Sequence, residues 1–131
     1  MKPILKYHGP TILWALFIFI MCSIKLGKIE GSPIFFPGFD KLVHCGFYFV
    51  FVIFFCNGLI RQHYPVGLPY KIVAIVIILA IIYGGAIEIL QWLVFTWREG
   101  EWGDLFADSV GACMGMFGVL IISGAVRHVK K

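Results

Sequence analysis

The chain has 131 residues, of which 60% are hydrophobic and 14% are charged, and its mean hydropathy is +0.92. Soluble domains carry about 25% charged residues, so this composition excludes an ordinary soluble domain and predicts a membrane protein with one domain, residues 1–131. The net charge of +4 does not predict nucleic-acid binding, because the basic residues lie in short loops and tails. The cysteines have no paired spacing and predict neither a zinc site nor a redox site: Cys22, Cys45, Cys56 and Cys113.

Four apolar segments are each long enough to cross a bilayer core of about 30 Å, which takes about 20 helical residues. The predicted helices run from about residue 7 to 26, 40 to 60, 70 to 95 and 104 to 126. The first resembles a signal peptide in its positive start, but it lacks a small-x-small cleavage site, so we expect it to be retained. The expected fold class is therefore an all-α membrane protein built as a four-transmembrane-helix bundle.

The only substantial predicted loop runs from residue 28 to 39, because its two prolines and two glycines do not fit a regular helix. The phenylalanines in this loop predict that it lies at the membrane interface. Asp40 directly follows the loop and is expected to be the N-cap of the second helix.

The distribution of basic residues predicts the orientation in the membrane. The N-terminus, second loop and C-terminus together carry 7 Lys and Arg residues, whereas the first and third loops carry 4. Positively charged loops favour the cytoplasmic side, so both termini are expected to be cytoplasmic. The second helix then starts near the outer face, where the third helix ends and the fourth helix starts.

This topology predicts one polar layer just under the outer face. With a rise of about 1.5 Å per residue, His44 lies about 6 Å below Asp40, and Asp108 lies about the same distance below Asp104. Glu88 lies about 10 Å below the end of the third helix. Three helices thus contribute polar side chains at a similar depth.

On the second helix, Asp40, His44 and Tyr48 follow one another at a spacing of four residues and therefore share one side. This pattern predicts either a hydrogen-bonded ladder that lines a site or three unrelated roles. In the second interpretation Asp40 caps the helix, Lys41 extends towards the headgroups, and His44 is a packing residue.

Glu88, on the third helix, is expected to be the residue of the chain that costs most to bury in the membrane, because a charged side chain near the bilayer centre costs at least about 2.5–3.5 kcal/mol. A purely structural hydrogen bond in a membrane averages only about 0.6 kcal/mol, so we favour a functional role for Glu88. On the fourth helix, Gly111 and Gly115 predict close packing with another helix, within the bundle or between protomers. The candidate ligand-binding residues are the polar residues of this layer and of the adjoining loop: Asp40, Lys41, His44, Tyr48, Glu88, Gln91, Arg98, Asp104 and Asp108.

Three chemistries fit such a layer. One histidine with several carboxylates can bind a metal ion, but the spacing is generic, and neither a metal nor another cofactor is predicted. Arg98 and Lys41 can hold an anionic headgroup or phosphate. His44 and Glu88 are the candidates for acid–base catalysis, although the sequence has no H-E-x-x-H motif and no Gly-rich phosphate loop.

These residues resemble the motifs of the VanZ-like family, which are small bacterial membrane proteins. The family shows Asp-Lys-x-x-His-x-x-x-Tyr/Phe, then Ile-Glu-x-x-Gln, an Arg, and Asp-x-x-x-Asn-x-x-Gly. The matching positions here are Asp40, Lys41, His44, Tyr48, Ile87, Glu88, Gln91, Arg98, Asp104, Asp108 and Gly111. The resemblance covers about residues 40 to 118. One position departs from it, because Asp108 stands where the family usually has Asn.

The resemblance implies a multi-pass protein of the bacterial inner membrane and cell envelope, with a link to teicoplanin resistance in some members. Our leading hypothesis is that the protein binds or handles an envelope lipid or amphiphile at the outer leaflet. The alternatives are an enzyme that acts on a lipid-linked phosphate or ester, and a structural or assembly partner. The sequence does not decide whether the protein is an enzyme, and we favour a binding protein. The expected partners are membrane lipids, and a homodimer is compatible with so small an interior.

Overall fold

The computed structural model describes residues 2–24, 38–94 and 102–129, which form four α-helices with no strand in those ranges. The helices in chain order are α1 Lys2–Ser23, α2 Phe39–Gln62, α3 Tyr70–Leu93 and α4 Trp102–Val129. The prediction of an all-α fold with four helices is confirmed. Most of the predicted interfacial loop, and Arg98, lie outside the described residues.

Each of the four helices is long and apolar enough to cross a membrane. Their outward faces carry large apolar side chains, such as Leu13, Phe117 and Ile122, all of which are exposed. Water-soluble proteins rarely expose apolar surface on this scale, because burying it is the main driving force of folding in water. The distribution is typical of a multi-pass membrane protein.

The bundle is built around the contact between α2 and α4, which is the most extensive of the helix pairs. α1 packs against α2 and α3, and α3 also packs against α4. Within the described ranges α1 and α4 do not approach each other, so they occupy opposite edges of the bundle. The helices α2, α3 and α4 therefore contact one another directly, and α1 does not lie between them.

Two glycines explain the close approach of α2 and α4. A Cβ atom added at Gly115 would lie 2.6 Å from the carbonyl oxygen of Phe49, and one added at Gly111 would overlap the carbonyl of Cys45. Small residues allow helix backbones to meet at such distances. The Gly111 and Gly115 pair therefore packs within the bundle, against the backbone of α2.

Side-chain hydrogen bonds to backbone carbonyls attach α1 to its neighbours. The indole of Trp14 donates to the carbonyl of Phe47 at 2.9 Å. The hydroxyl of Tyr83 donates to the carbonyl of Ala15 in the same way. These two hydrogen bonds fix the position of α1 against α2 and α3. Apolar contacts, which are not directional, would fix it less precisely.

The start of α2 differs from the prediction. Its N-cap is Gly38, with φ of 90° and no side-chain cap hydrogen bond, so Asp40 is not the N-cap. Glycine adopts this left-handed conformation without the steric cost that a Cβ would impose. Asp40 instead lies in the first turn, where its carboxylate is favoured by the unpaired N–H groups of the helix N-terminus.

Candidate functional site

The end of the bundle where α2 and α4 begin and α3 ends collects polar side chains. His44, Glu88 and Asp108 each lie about one and a half turns from that end of their helices. With Asp40 and Asp104, which lie in the first turns of α2 and α4, they form what we call the polar cluster. Its members are therefore Asp40, His44, Glu88, Asp104 and Asp108.

The imidazole of His44 is at the centre of the polar cluster. Its Nδ1 lies 2.9 Å from Oδ1 of Asp108, which is a hydrogen bond between two nearly inaccessible side chains. Its Nε2 lies 3.9 Å from a carboxylate oxygen of Asp40 and 3.9 Å from one of Asp104. The two ring nitrogens therefore face different carboxylates, Asp108 on one side and Asp40 with Asp104 on the other.

Lys41 closes the cluster on the outer side. Its Nζ lies 3.7 Å from Oδ1 of Asp104, and its side chain is 46% exposed, whereas that of Asp104 is 3% exposed. Gly103 leaves the space that the Lys41 side chain occupies, because a Cβ at residue 103 would lie 2.6 Å from Cε of Lys41. Asp40 and Lys41 are thus exposed at the mouth of the cluster, and Asp104 lies buried beneath them.

The inner side of the cluster is formed by Glu88 and Asp108. Together with His44 they each offer one ligand atom, and these three atoms lie within 4.8 Å of one another. Gly84 precedes Glu88 by one helical turn, and a Cβ there would lie 2.6 Å from Oδ2 of Asp108. The glycine on α3 therefore leaves the space that the Asp108 carboxylate occupies.

Tyr48 lies one turn further along α2 than His44 and is 1% exposed. Its hydroxyl has no hydrogen-bond partner among the residues that the structure describes. The same hydroxyl interacts electrostatically with Asp108 and with Glu88. A buried polar group without a partner costs about 1–3 kcal/mol, so this hydroxyl is an unusual feature of the inner side.

The structure thus brings together six predicted site residues, with Tyr48 beneath them: Asp40, Lys41, His44, Glu88, Asp104 and Asp108. Gln91 takes a different place, because its amide Nε2 donates to the carbonyl of Cys22 at 2.9 Å and joins α3 to α1. The predicted anion-binding residue Arg98 lies outside the described residues. The roles of Gly84 and Gly103 were not predicted, because helical spacing does not show which side chain of another helix needs the space.

Comparisons with protein-family models, with curated proteins and with solved structures found no match to this chain. The fold and the cluster define the class of protein by themselves. Over the ranges that the structure describes, it is an all-α bundle of four helices, each long and apolar enough to cross a membrane, with a histidine and four carboxylates gathered at one end.

Proposed function

We propose that this protein is a multi-pass protein of the bacterial inner membrane that binds or handles an envelope lipid or amphiphile at the outer leaflet. The observation that supports this proposal most is the position of the polar cluster, at one end of a bundle whose outer surface is apolar. The bias of Lys and Arg towards the other loops favours an orientation with that end at the outer face. A polar group could then enter the cluster while its acyl chains stay beside the helices.

The charges at the mouth of the cluster indicate which headgroups fit. Lys41 is partly exposed and offers an ammonium to a phosphate or carboxylate, while Asp40 beside it accepts hydrogen bonds from amines or hydroxyls. Asp104 lies 3.7 Å from the same ammonium and positions it at the mouth. A headgroup that carries both an anionic group and hydrogen-bond donors matches this pair of exposed charges, and Arg98 is a second candidate for the anion.

The VanZ-like resemblance of residues 40 to 118 supports the same assignment, and membership of that family is part of the proposal. Teicoplanin, to which some members are linked, is a lipoglycopeptide that acts outside the membrane. An amphiphile-binding cluster under the outer face is consistent with such a link.

Native mass spectrometry of the gently solubilised protein tests this proposal. We expect a lipid or amphiphile adduct on the wild type that is lost in Asp40→Asn and Lys41→Gln, because these variants remove the two exposed charges that would hold the headgroup. Asn57→Ala changes an exposed polar residue elsewhere on α2 and should keep the adduct. An adduct equally abundant in all four proteins would refute the site, and its absence from the wild type would favour a structural role.

An enzyme is the second candidate, and the His44–Asp108 hydrogen bond favours it. A carboxylate that holds one nitrogen of an imidazole orients the ring and leaves the other nitrogen to act as a base. In His44 that other nitrogen is Nε2, which faces the outer carboxylates.

If the protein is a hydrolase, incubation with extracted envelope lipids should consume water and release a phosphate and an alcohol from a phosphate ester, or a carboxylate and an alcohol from a carboxylic ester. Loss of the base typically costs a factor of about 10²–10⁴ in rate, so His44→Asn should reduce turnover by at least about 100-fold. Mass spectrometry of the lipids before and after incubation measures this. Recovery of the bound lipid unchanged, with the wild-type protein folded, would exclude catalysis on that lipid and retain the binding function.

A further inference from the structure

Two groups of three side chains in the described part of the chain have the spacing to hold a metal ion. The outer group consists of Asp40, His44 and Asp104, and the inner group consists of His44, Glu88 and Asp108. In the outer group Asp104 already contacts the ammonium of Lys41 at 3.7 Å, and that positive charge opposes a second cation. The inner group is therefore the better candidate.

We propose that the inner group binds one divalent metal ion, through Nδ1 of His44 and carboxylate oxygens of Glu88 and Asp108. One imidazole nitrogen with carboxylate oxygens suits ions such as Mn²⁺ or Zn²⁺. This proposal stands or falls separately from the proposed binding of an amphiphile, because metal binding is measured in a titration that contains no added lipid.

The geometry of the inner group needs little adjustment to hold such an ion. Nitrogen and oxygen ligands lie about 2.0–2.2 Å from zinc, so neighbouring ligand atoms are about 3–4 Å apart. Nδ1 of His44 and Oδ1 of Asp108 are 2.9 Å apart, and all three ligand atoms lie within 4.8 Å of one another. Bound to one ion, the Glu88 carboxylate would have to lie within about 4 Å of the other two ligand atoms, a change of less than about 1 Å from the widest spacing observed.

The surroundings of His44 supply the support that a metal ligand requires. A metal-bound imidazole almost always donates its other N–H to a carboxylate or carbonyl, which fixes the ring. With Nδ1 on the ion, the Nε2–H of His44 faces oxygens of Asp40 and Asp104, each at 3.9 Å. At this distance neither oxygen accepts a hydrogen bond from Nε2, and one of the two carboxylates would move closer to hold the ring of a metal-bound His44.

The hydroxyl of Tyr48 is an independent sign that the inner group holds something. It is buried, it lacks a hydrogen-bond partner among the described residues, and it interacts electrostatically with both acids of the group. Buried hydroxyls normally have a partner. A metal ion, or a water molecule bound to it, would supply the missing partner.

Charge also favours a cation at this position. Asp108 is 1% exposed, and its partner among the described residues is a histidine rather than a lysine or arginine. The Glu88 carboxylate approaches that of Asp108 within the inner group. A cation between two carboxylates lowers their mutual repulsion.

Metal titration of the whole protein, purified in detergent and treated with a chelator, tests the proposal. Binding of Mn²⁺ is followed by electron paramagnetic resonance of the free ion, and binding of Zn²⁺ by calorimetry. We expect one ion per wild-type chain, with affinity at least about tenfold lower in Glu88→Gln and in Asp108→Asn, since changing a residue that merely hydrogen-bonds a metal ligand already costs about 10- to 100-fold. Asn57→Ala serves as the control and should match the wild type.

Tyr48→Phe distinguishes a metal site from a purely structural cluster. We expect this variant to bind the ion more weakly while its metal-free form melts no lower than the wild type, because the substitution removes an unpaired hydroxyl. Absence of metal binding by the folded wild type would overturn the proposal. A larger loss in Asp40→Asn than in Glu88→Gln would also overturn it, by placing the ion in the outer group.

Discussion

Replacing Gly111 with alanine is expected to lower the free energy of unfolding by about 3 kcal/mol, at the upper end of what overpacking costs. The added Cβ would overlap the carbonyl of Cys45, which is backbone and moves only if α2 moves as a whole. Alanine gains about 1 kcal/mol over glycine in helix propensity, which is too little to offset the clash. Thermal unfolding in detergent, followed by circular dichroism, measures the difference.

Gly118→Ala is the matched control, because it lies on the same helix and a Cβ there has no atom within 4 Å. This variant should be as stable as the wild type or more stable by up to about 1 kcal/mol. Equal stability of the two alanine variants would show that α2 and α4 are not held together at Gly111.

Replacing His44 with alanine is the second substitution from which we expect a large effect, a loss of about 3 kcal/mol. Removing His44 leaves a buried carboxylate without its hydrogen-bond partner, and the loss reaches about 3–5 kcal/mol where a buried charge is left uncompensated. Here the remaining partner would be Asp108, which is 1% exposed. His44→Asn should lose much less, because its amide nitrogen can take the position of Nδ1 and still donate to Asp108.

A second substitution shows how much of the lost stability comes from the unpaired Asp108 carboxylate and how much from the packing of the His44 side chain. In the His44→Ala background, Asp108→Asn removes the carboxylate and should recover most of the lost stability. Unfolding curves of the wild type, both single variants and the double variant give the coupling between the two positions. If the double variant is less stable than His44→Ala alone, the Asp108 carboxylate is not what destabilises that protein.

The four helices, and the level of their polar residues along the bundle, could be predicted because both depend only on the sequence of each segment. Apolar length defines each helix, and counting residues from its end is enough to place His44 and Asp108 at a similar level. The structure adds that these two side chains meet at 2.9 Å.

Features that depend on another helix could not be predicted in this way. Gln91 follows Glu88 by three residues, which is about 60° short of a full turn, and this rotation is enough to direct its amide to Cys22 on α1. Gly38 rather than Asp40 caps α2 because a left-handed backbone conformation is needed there. The periodicity of a single segment does not show which helix will lie against each of its faces. It also does not show the backbone path of the loop that precedes it.

The single imidazole of His44 faces carboxylates on both of its sides, and this makes the two sides of the cluster interdependent. A ring nitrogen that gives up its proton to one neighbour changes what the opposite nitrogen can donate. If the proposed ion and the proposed headgroup both bind, the shared imidazole couples them: occupancy at the exposed side would alter affinity at the buried side, and the reverse effect would be equal in free energy. The distance to be bridged is only that between the two nitrogens of one ring.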